Sequence, residues 1–213
     1  MGITSRKKIP VTSRKSSFLK DASLIIIASE GHKTEKQYFD SDCFCSSRLK
    51  IIVLESLDNK SAPVHVLNRM KDYIKKELVN ERIDIQSGDQ LWLVIDKDKW
   101  TNKMLSDVCS TAIKMKKFPL KVALSNPSFE LWLYLHHDEW RDGEIDGLQL
   151  EKLLKKKIGG YSKNKVNMEV FCSKVDDAIS RAEIMDKSSN SRWPSNPGTH
   201  VYKLAKVIKN LLK

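Results

Sequence analysis

The chain has 213 residues, 40% of them hydrophobic, with 38 Lys and Arg against 27 Asp and Glu and a net charge of +11. That length gives one domain of ordinary size plus an appendage, with enough apolar residues for a core. No apolar run approaches the roughly 18 residues that span a bilayer, and the start of the chain lacks the apolar stretch of a secretory signal. Both points argue against a membrane or exported protein and predict a cytoplasmic location.

Residues 1–20 hold six Lys or Arg and no acid. They read as a basic mobile arm. The first strand is predicted over Leu24–Ala28 and runs into Ser29-Glu30-Gly31. A helix follows over Thr34–Phe44 with Thr34 as its cap, then a second strand over Lys50–Leu54. Pro63 suits the first turn of an amphipathic helix reaching Asn80, with Val64, Leu67, Met70, Ile74 and Leu78 on its apolar face. The third strand, Gln90–Ile95, runs into Asp96-Lys97-Asp98. Trp100–Lys117 is predicted helical, capped by Thr101, with Met104, Val108, Ala112 and Met115 inward. Leu120–Leu124 is a fourth strand. A helix over Ser128–His137, capped by Ser128, closes a β-α alternation that predicts a parallel sheet covered by helices.

After the acidic loop 138–147 no strand is evident. Helices are expected over Leu148–Ile158, Asn167–Met185 and Val201–Leu212. The predicted organisation is an arm (1–20), an α/β catalytic domain (21–147) and a basic α-helical extension packed on it (148–213).

Charge follows the same division. Residues 151–213 hold fourteen Lys or Arg against six acids, while 21–150 hold eighteen against twenty-one. Basic flanks attract a polyanion, and carboxylates in the middle are suited to hold metal. Of the four cysteines, Cys43 and Cys45 lack a second pair at zinc-finger spacing, so all four are expected as reduced thiols.

The chemistry is expected at the strand ends. Ligands of open α/β sheets sit beyond the carboxyl ends of the strands. If the first and third strands are neighbours, Glu30, Asp96 and Asp98 converge there and invite a hard divalent cation. Residues two apart in an extended segment point the same way, so Asp96 and Asp98 could both reach it. Glu35 and Glu130 open helices near the same end. Each is either a further ligand or a favourable charge at a helix N-terminus. Lys97 and Lys99 could bind a phosphate or simply be solvated. Tyr161, Lys163 and Lys165 could contact nucleic acid by stacking and phosphate pairing, or form a plain basic loop. His136 reads as a satisfied core histidine. No phosphate-binding glycine loop with Lys-Ser/Thr is present.

Several ordered motifs resemble a known family. Glu30-Gly31-His32-Lys33-Thr34-Glu35 with Tyr38-Phe39, then Asp96-Lys97-Asp98 with Trp100, then Ser125-Asn126-Pro127-Ser128-Phe129-Glu130-Leu131-Trp132 resemble RloB-like bacterial proteins and, more distantly, the Toprim domain. Weaker matches follow at Tyr161-Ser162-Lys163 and Asn196-Pro197-Gly198-Thr199. The resemblance implies a Toprim-like fold and a nuclease of antiphage defence (abortive infection) that uses Mg²⁺ or Mn²⁺. Glu30 would be the general acid/base or a ligand, and Asp96 and Asp98 the metal-binding pair. It further implies DNA or RNA as substrate and control by an AAA or ABC-type ATPase. A homo-oligomer stays open, as does a non-catalytic module that binds nucleic acid or the ATPase.

Overall fold

The computed structural model describes residues 22–31, 33–55, 61–78, 85–86, 88–187 and 192–213. The basic arm predicted over 1–20 and the last two residues of the predicted second helix lie outside them.

Five strands form one sheet: β1 (Ser23–Ser29), β2 (Leu49–Leu54), β3 (Gln90–Asp96), β4 (Leu120–Asn126) and β5 (Gly198–Thr199). Their order is β2-β1-β3-β4-β5, parallel except for the β4–β5 pair. The first and third strands are thus neighbours, the arrangement the acidic strand ends required. Both faces of the sheet are covered, which is why β1 and β3 read as unbroken apolar runs. Successive residues still alternate between faces. Ile25, Ile27, Trp92 and Val94 join one core cluster, while Ile26, Ala28, Leu91, Leu93 and Ile95 join the other.

The second cluster is closed by α2 (Pro63–Tyr73) and α3 (Asn102–Lys114) through Val66, Leu67, Met70, Leu105, Val108 and Ala112. Two expected inward residues face out instead: Val64 and Met104 are exposed. The rest of each predicted face holds, with Leu67, Met70, Ile74, Val108 and Ala112 buried, and Val66 and Leu105 join them. Thr101 caps α3 as predicted, its hydroxyl accepting from the Met104 N–H at 3.3 Å. Past Tyr73, residues 74–78 continue as a π-helical turn.

The first cluster is closed by α1 (Thr34–Phe39), α4 (Glu130–Leu135), α5 (Gly147–Lys157), α6 (Glu169–Cys172), α7 (Val175–Lys187) and α8 (Val201–Leu212). Leu150, Leu154, Ala178, Leu204 and Ile208 share that core with the sheet. The helices beyond residue 147 therefore cover a sheet face and have no separate core. Four sequence expectations change here. The helix predicted over Thr34–Phe44 ends at Phe39, with Lys33 rather than Thr34 at its cap position. The helix predicted over Asn167–Met185 is two, α6 and α7. Gly198–Thr199 forms a strand where none was expected, too short to show an alternation. Cys43 and Cys172 are joined as a disulfide, while Cys45 and Cys109 are free.

His136 is a fully buried core residue, as expected. Its Nδ1 lies 2.8 Å from the Trp132 carbonyl and its Nε2 lies 2.9 Å from the Tyr38 hydroxyl. A carbonyl accepts only, so Nδ1 carries the proton and Tyr38 donates to Nε2. Burial lowers the His136 pKa to about 3, so the ring is neutral. Tyr38→Phe would leave Nε2 buried without a donor. A loss of about 1–3 kcal/mol is expected in urea unfolding; a change within error would remove this hydrogen bond from the account.

Candidate active site

The β1–β3 register sets the first carboxylate. Ser29 pairs with Val94, and the Glu30 N–H donates to the Val94 carbonyl at 2.9 Å. Glu30 therefore leaves β1 alongside the end of β3. Its Oε2 accepts from the Asp96 N–H at 3.2 Å and its Oε1 from the Trp100 indole at 2.9 Å.

Gly31 follows, and its N–H donates to Glu35 Oε1 at 2.9 Å. A Cβ at Gly31 would collide with the Glu35 carboxylate, whereas the backbone here is not among the positive-φ glycines. The glycine thus leaves room for a buried acid.

Glu130 opens α4 at the end of β4. Ser128 was expected to cap that helix, but its hydroxyl donates to Glu130 Oε2 at 2.6 Å. The other oxygen, Oε1, accepts from Tyr161 OH at 2.9 Å and pairs with Lys163 Nζ at 3.1 Å.

A cavity of about 370 Å³ lies between these strand ends. Glu30, Glu35, Asp96 and Glu130 line it, together with Lys33, Lys163, Thr34, Asn164, Ser61 and Phe129. Asp96 is half-buried as a residue, yet its Oδ1 is shut off from solvent and has no hydrogen-bond partner among the described residues. Four carboxyls in one recess cannot all ionise freely. Burial, with Glu35 nearby, pushes Glu30 up to about 7. Burial and the Glu130 charge push Glu35 up to about 7. Asp96 is raised well above its ordinary value by burial and by Glu35, Glu130 and Glu30. Glu130 goes the other way. Burial alone would raise it, but Lys163 and the Ser128 hydrogen bond outweigh that and lower it.

The other predicted site residues are placed differently. Asp98 is exposed and does not line the cavity. The strand ends at Asp96, the Lys97 and Asp98 N–H groups donate to Ser125 and Pro127 carbonyls, and Asp98 has φ 21°. The two-residue alternation that would have aimed Asp98 beside Asp96 stops before it applies. Lys97 is half-buried outside the cavity, and Lys99 is exposed with Nζ 5.0 Å from the centre of the Trp100 ring. Tyr161 is buried against Thr34 and Glu130, so it cannot serve as the stacking platform expected of it. Lys163 bridges Glu130 and, at 3.3 Å, Glu151. Lys165 is exposed.

Sequence reasoning gave no role at the site to Trp100, Glu151 or Lys33, and read Ser128 only as a helix cap. Trp100 stood in the quoted motif four residues past Asp96, a spacing that could have flagged it. The other three have partners distant in sequence or have common side chains without a signature.

Among the described residues, no three His, Cys, Asp or Glu side chains are grouped so as to hold a metal ion. In kind the donors fit: they are all carboxylate oxygens, the preference of Mg²⁺ and Mn²⁺. The partnerless Asp96 Oδ1 fits too, since a buried carboxylate oxygen otherwise lacks compensation.

The molecule is an α/β protein with an acid-lined cavity at the carboxyl ends of a mostly parallel sheet, an arrangement consistent with a Toprim-like fold. The family model described as RloB-like protein matches residues 25–208, and the chain belongs to that family. No curated protein and no solved structure matches it significantly. Among the described residues no helix is long and apolar enough to cross a membrane.

Proposed function

We propose that this protein is a divalent-metal-dependent nuclease of DNA or RNA, acting in antiphage defence under the control of a separate ATPase. The observation that carries the chemistry is the buried Oδ1 of Asp96, without a partner among the described residues, beside three further carboxyls in one cavity. Asp96, Glu30, Glu35 and Glu130 would hold Mg²⁺ or Mn²⁺. Bound there, the ion supplies Lewis-acid polarisation of the phosphate and stabilises the leaving oxygen. Glu30, with its pKa near 7, holds or releases a proton at neutral pH, the property of a general acid/base. Trp100 fixes the Glu30 carboxyl by its indole N–H. Lys33 and Lys163 bring positive charge to the cavity wall, where a phosphate would approach. The ATPase is proposed on the family resemblance and on the lack of a phosphate-binding loop in this chain.

The test is cleavage of plasmid, single-stranded DNA and tRNA by purified protein in Mg²⁺ or Mn²⁺ against EDTA. Wild type is expected to cleave at least one substrate only with metal, and Asp96→Ala and Glu30→Ala are expected to lose that activity. Cleavage surviving both substitutions would refute the site.

A second reading is favoured by one observation. Lys163 already neutralises Glu130. A module that binds nucleic acid or the ATPase without turnover would need nothing more. Binding without metal-dependent cleavage under any of these conditions selects it.

A further inference from the structure

Resting on the nucleic-acid reading above, we infer that the phosphate backbone is held by a lysine strip on α5 and the loop after it, not by the lysine-rich C-terminal helix. Both helices are rich in lysine, and they differ in what faces them. On α8, Lys203, Lys206 and Lys209 pair with Asp186, Glu183 and Asp176 of α7 at 3.0–3.1 Å. Their charge is already met.

On α5, Lys152, Lys155 and Lys156 recur at three- and four-residue spacing, so they share one face. All three are exposed, and Leu150 and Leu154 face the core. Among the described residues none of the three has a carboxylate partner, and the same holds for Lys33 and Lys165. Residues 147–167 carry six lysines and one acid, Glu151.

The strip reaches the cavity. Glu151 on α5 binds Lys163 at 3.3 Å, and Lys163 binds Glu130 inside the cavity at 3.1 Å. Lys155 stands one helical turn beyond Glu151 on the same side. At the far end, Lys33 donates to Asn164 at 2.8 Å, which brings it beside Lys165. Lysines that have no carboxylate partner among the described residues (Lys152, Lys155, Lys156, Lys165 and Lys33) thus run from α5 across the loop to the mouth of an acid-lined cavity. A row of ammonium groups not met by carboxylates suits the repeated charges of a phosphate backbone, because binding releases condensed counterions. An acidic cavity would repel such a chain, so attraction has to come from its rim.

The experiment is fluorescence anisotropy of the full chain with labelled DNA and RNA oligonucleotides in EDTA, so that no cleavage intervenes. K152Q/K155Q/K156Q is expected to weaken binding about tenfold or more and to lower the salt slope by about 2–3. K203Q/K206Q/K209Q is expected to change it less than about threefold, and Lys156→Gln alone about twofold to threefold in the same direction as its triple. Both triples are first shown to fold by circular dichroism, and the single variant decides if the α5 triple does not. Equal losses in the two triples, a larger loss on α8, no loss on α5, or no binding by wild type overturns the strip. A strip variant that loses binding, in a protein that never cleaves, leaves the inference standing and removes the nuclease reading. Metal-dependent cleavage with undiminished binding by the α5 variants does the reverse.

Discussion

Glu35→Gln is expected to stabilise the metal-free protein by roughly 3 kcal/mol at pH 8.5 and by almost nothing at pH 4.5. Glu35 is buried, with its carboxyl held at about 7 rather than 4.5 by burial and the Glu130 charge. Below pH 4.5 the carboxyl is protonated in both folded and unfolded chains, and glutamine resembles it. As pH rises from 4.5 to 7 the unfolded chain loses the proton while the folded chain keeps it. Folding then has to take up a proton, and wild type loses about 1.4 kcal/mol per pH unit. Above 7 the folded carboxyl ionises in place and the loss is complete. Glutamine has no such proton, and its carbonyl can still accept from the Gly31 N–H. Buried His136 titrates identically in both proteins and cancels in the difference. For a chain of this length the gain corresponds to a melting shift of about 6–12 °C. Thermal unfolding of both proteins in EDTA across pH checks it. A variant no more stable than wild type at pH 8.5 contradicts the crowding of charge, and an equal gain at both pH values assigns the effect to packing.

Asp96→Asn is expected to separate stability from activity. The Asp96 Oδ1 has no partner among the described residues, and burial with Glu35, Glu130 and Glu30 opposes its ionisation. A neutral isostere relieves that repulsion, so the metal-free variant should melt higher than wild type at pH 8. Under the nuclease reading the same substitution removes a charged ligand, and metal-dependent cleavage should fall by roughly three orders of magnitude, several kcal/mol of barrier. Such opposition is the usual relation between a strained site and the stability of its fold. Asp98→Asn is the companion measurement. Asp98 is exposed and outside the cavity, so its loss should change cleavage less than about threefold. Comparable damage from the two substitutions would mean that both aspartates bind metal, and that substrate or ion redraws the turn after β3.

These expectations show which parts of the molecule could be read from its residues. The four parallel strands were legible because burial on both faces leaves long apolar runs, as in Ile25–Ala28 and Leu91–Ile95. Their order is not written in any one segment. It follows from right-handed crossovers and helix packing, and it is what brings Glu30 to Asp96. Glu35 and Glu130 could be named from their places at helix starts, but their opposite pKa shifts depend on Lys163, which is distant in sequence. Asp98 was misplaced because a period of two holds only while the chain stays extended. Tyr161 was misplaced because an aromatic in a basic loop looks alike whether it faces solvent or a buried glutamate. The two residues of β5 are too few to carry a pattern. Ser128 satisfies the rule for a helix cap, and its hydroxyl finds a carboxylate instead.

The cavity is walled by residues far apart in sequence, from Glu30 to Asn164, and protein synthesis is directional. Glu30, Glu35, Asp96 and Glu130 are all translated before Tyr161 and Lys163, which hold Glu130, and before Thr199, whose hydroxyl meets Ser125 at 2.9 Å beside the end of β3. A nascent chain thus carries every acid of the site before it carries the groups that set their geometry and charge. Assembly of the site waits for residues 161–199, and a ribosome that stalls before them holds a polypeptide with the ingredients of the cavity but not the cavity itself.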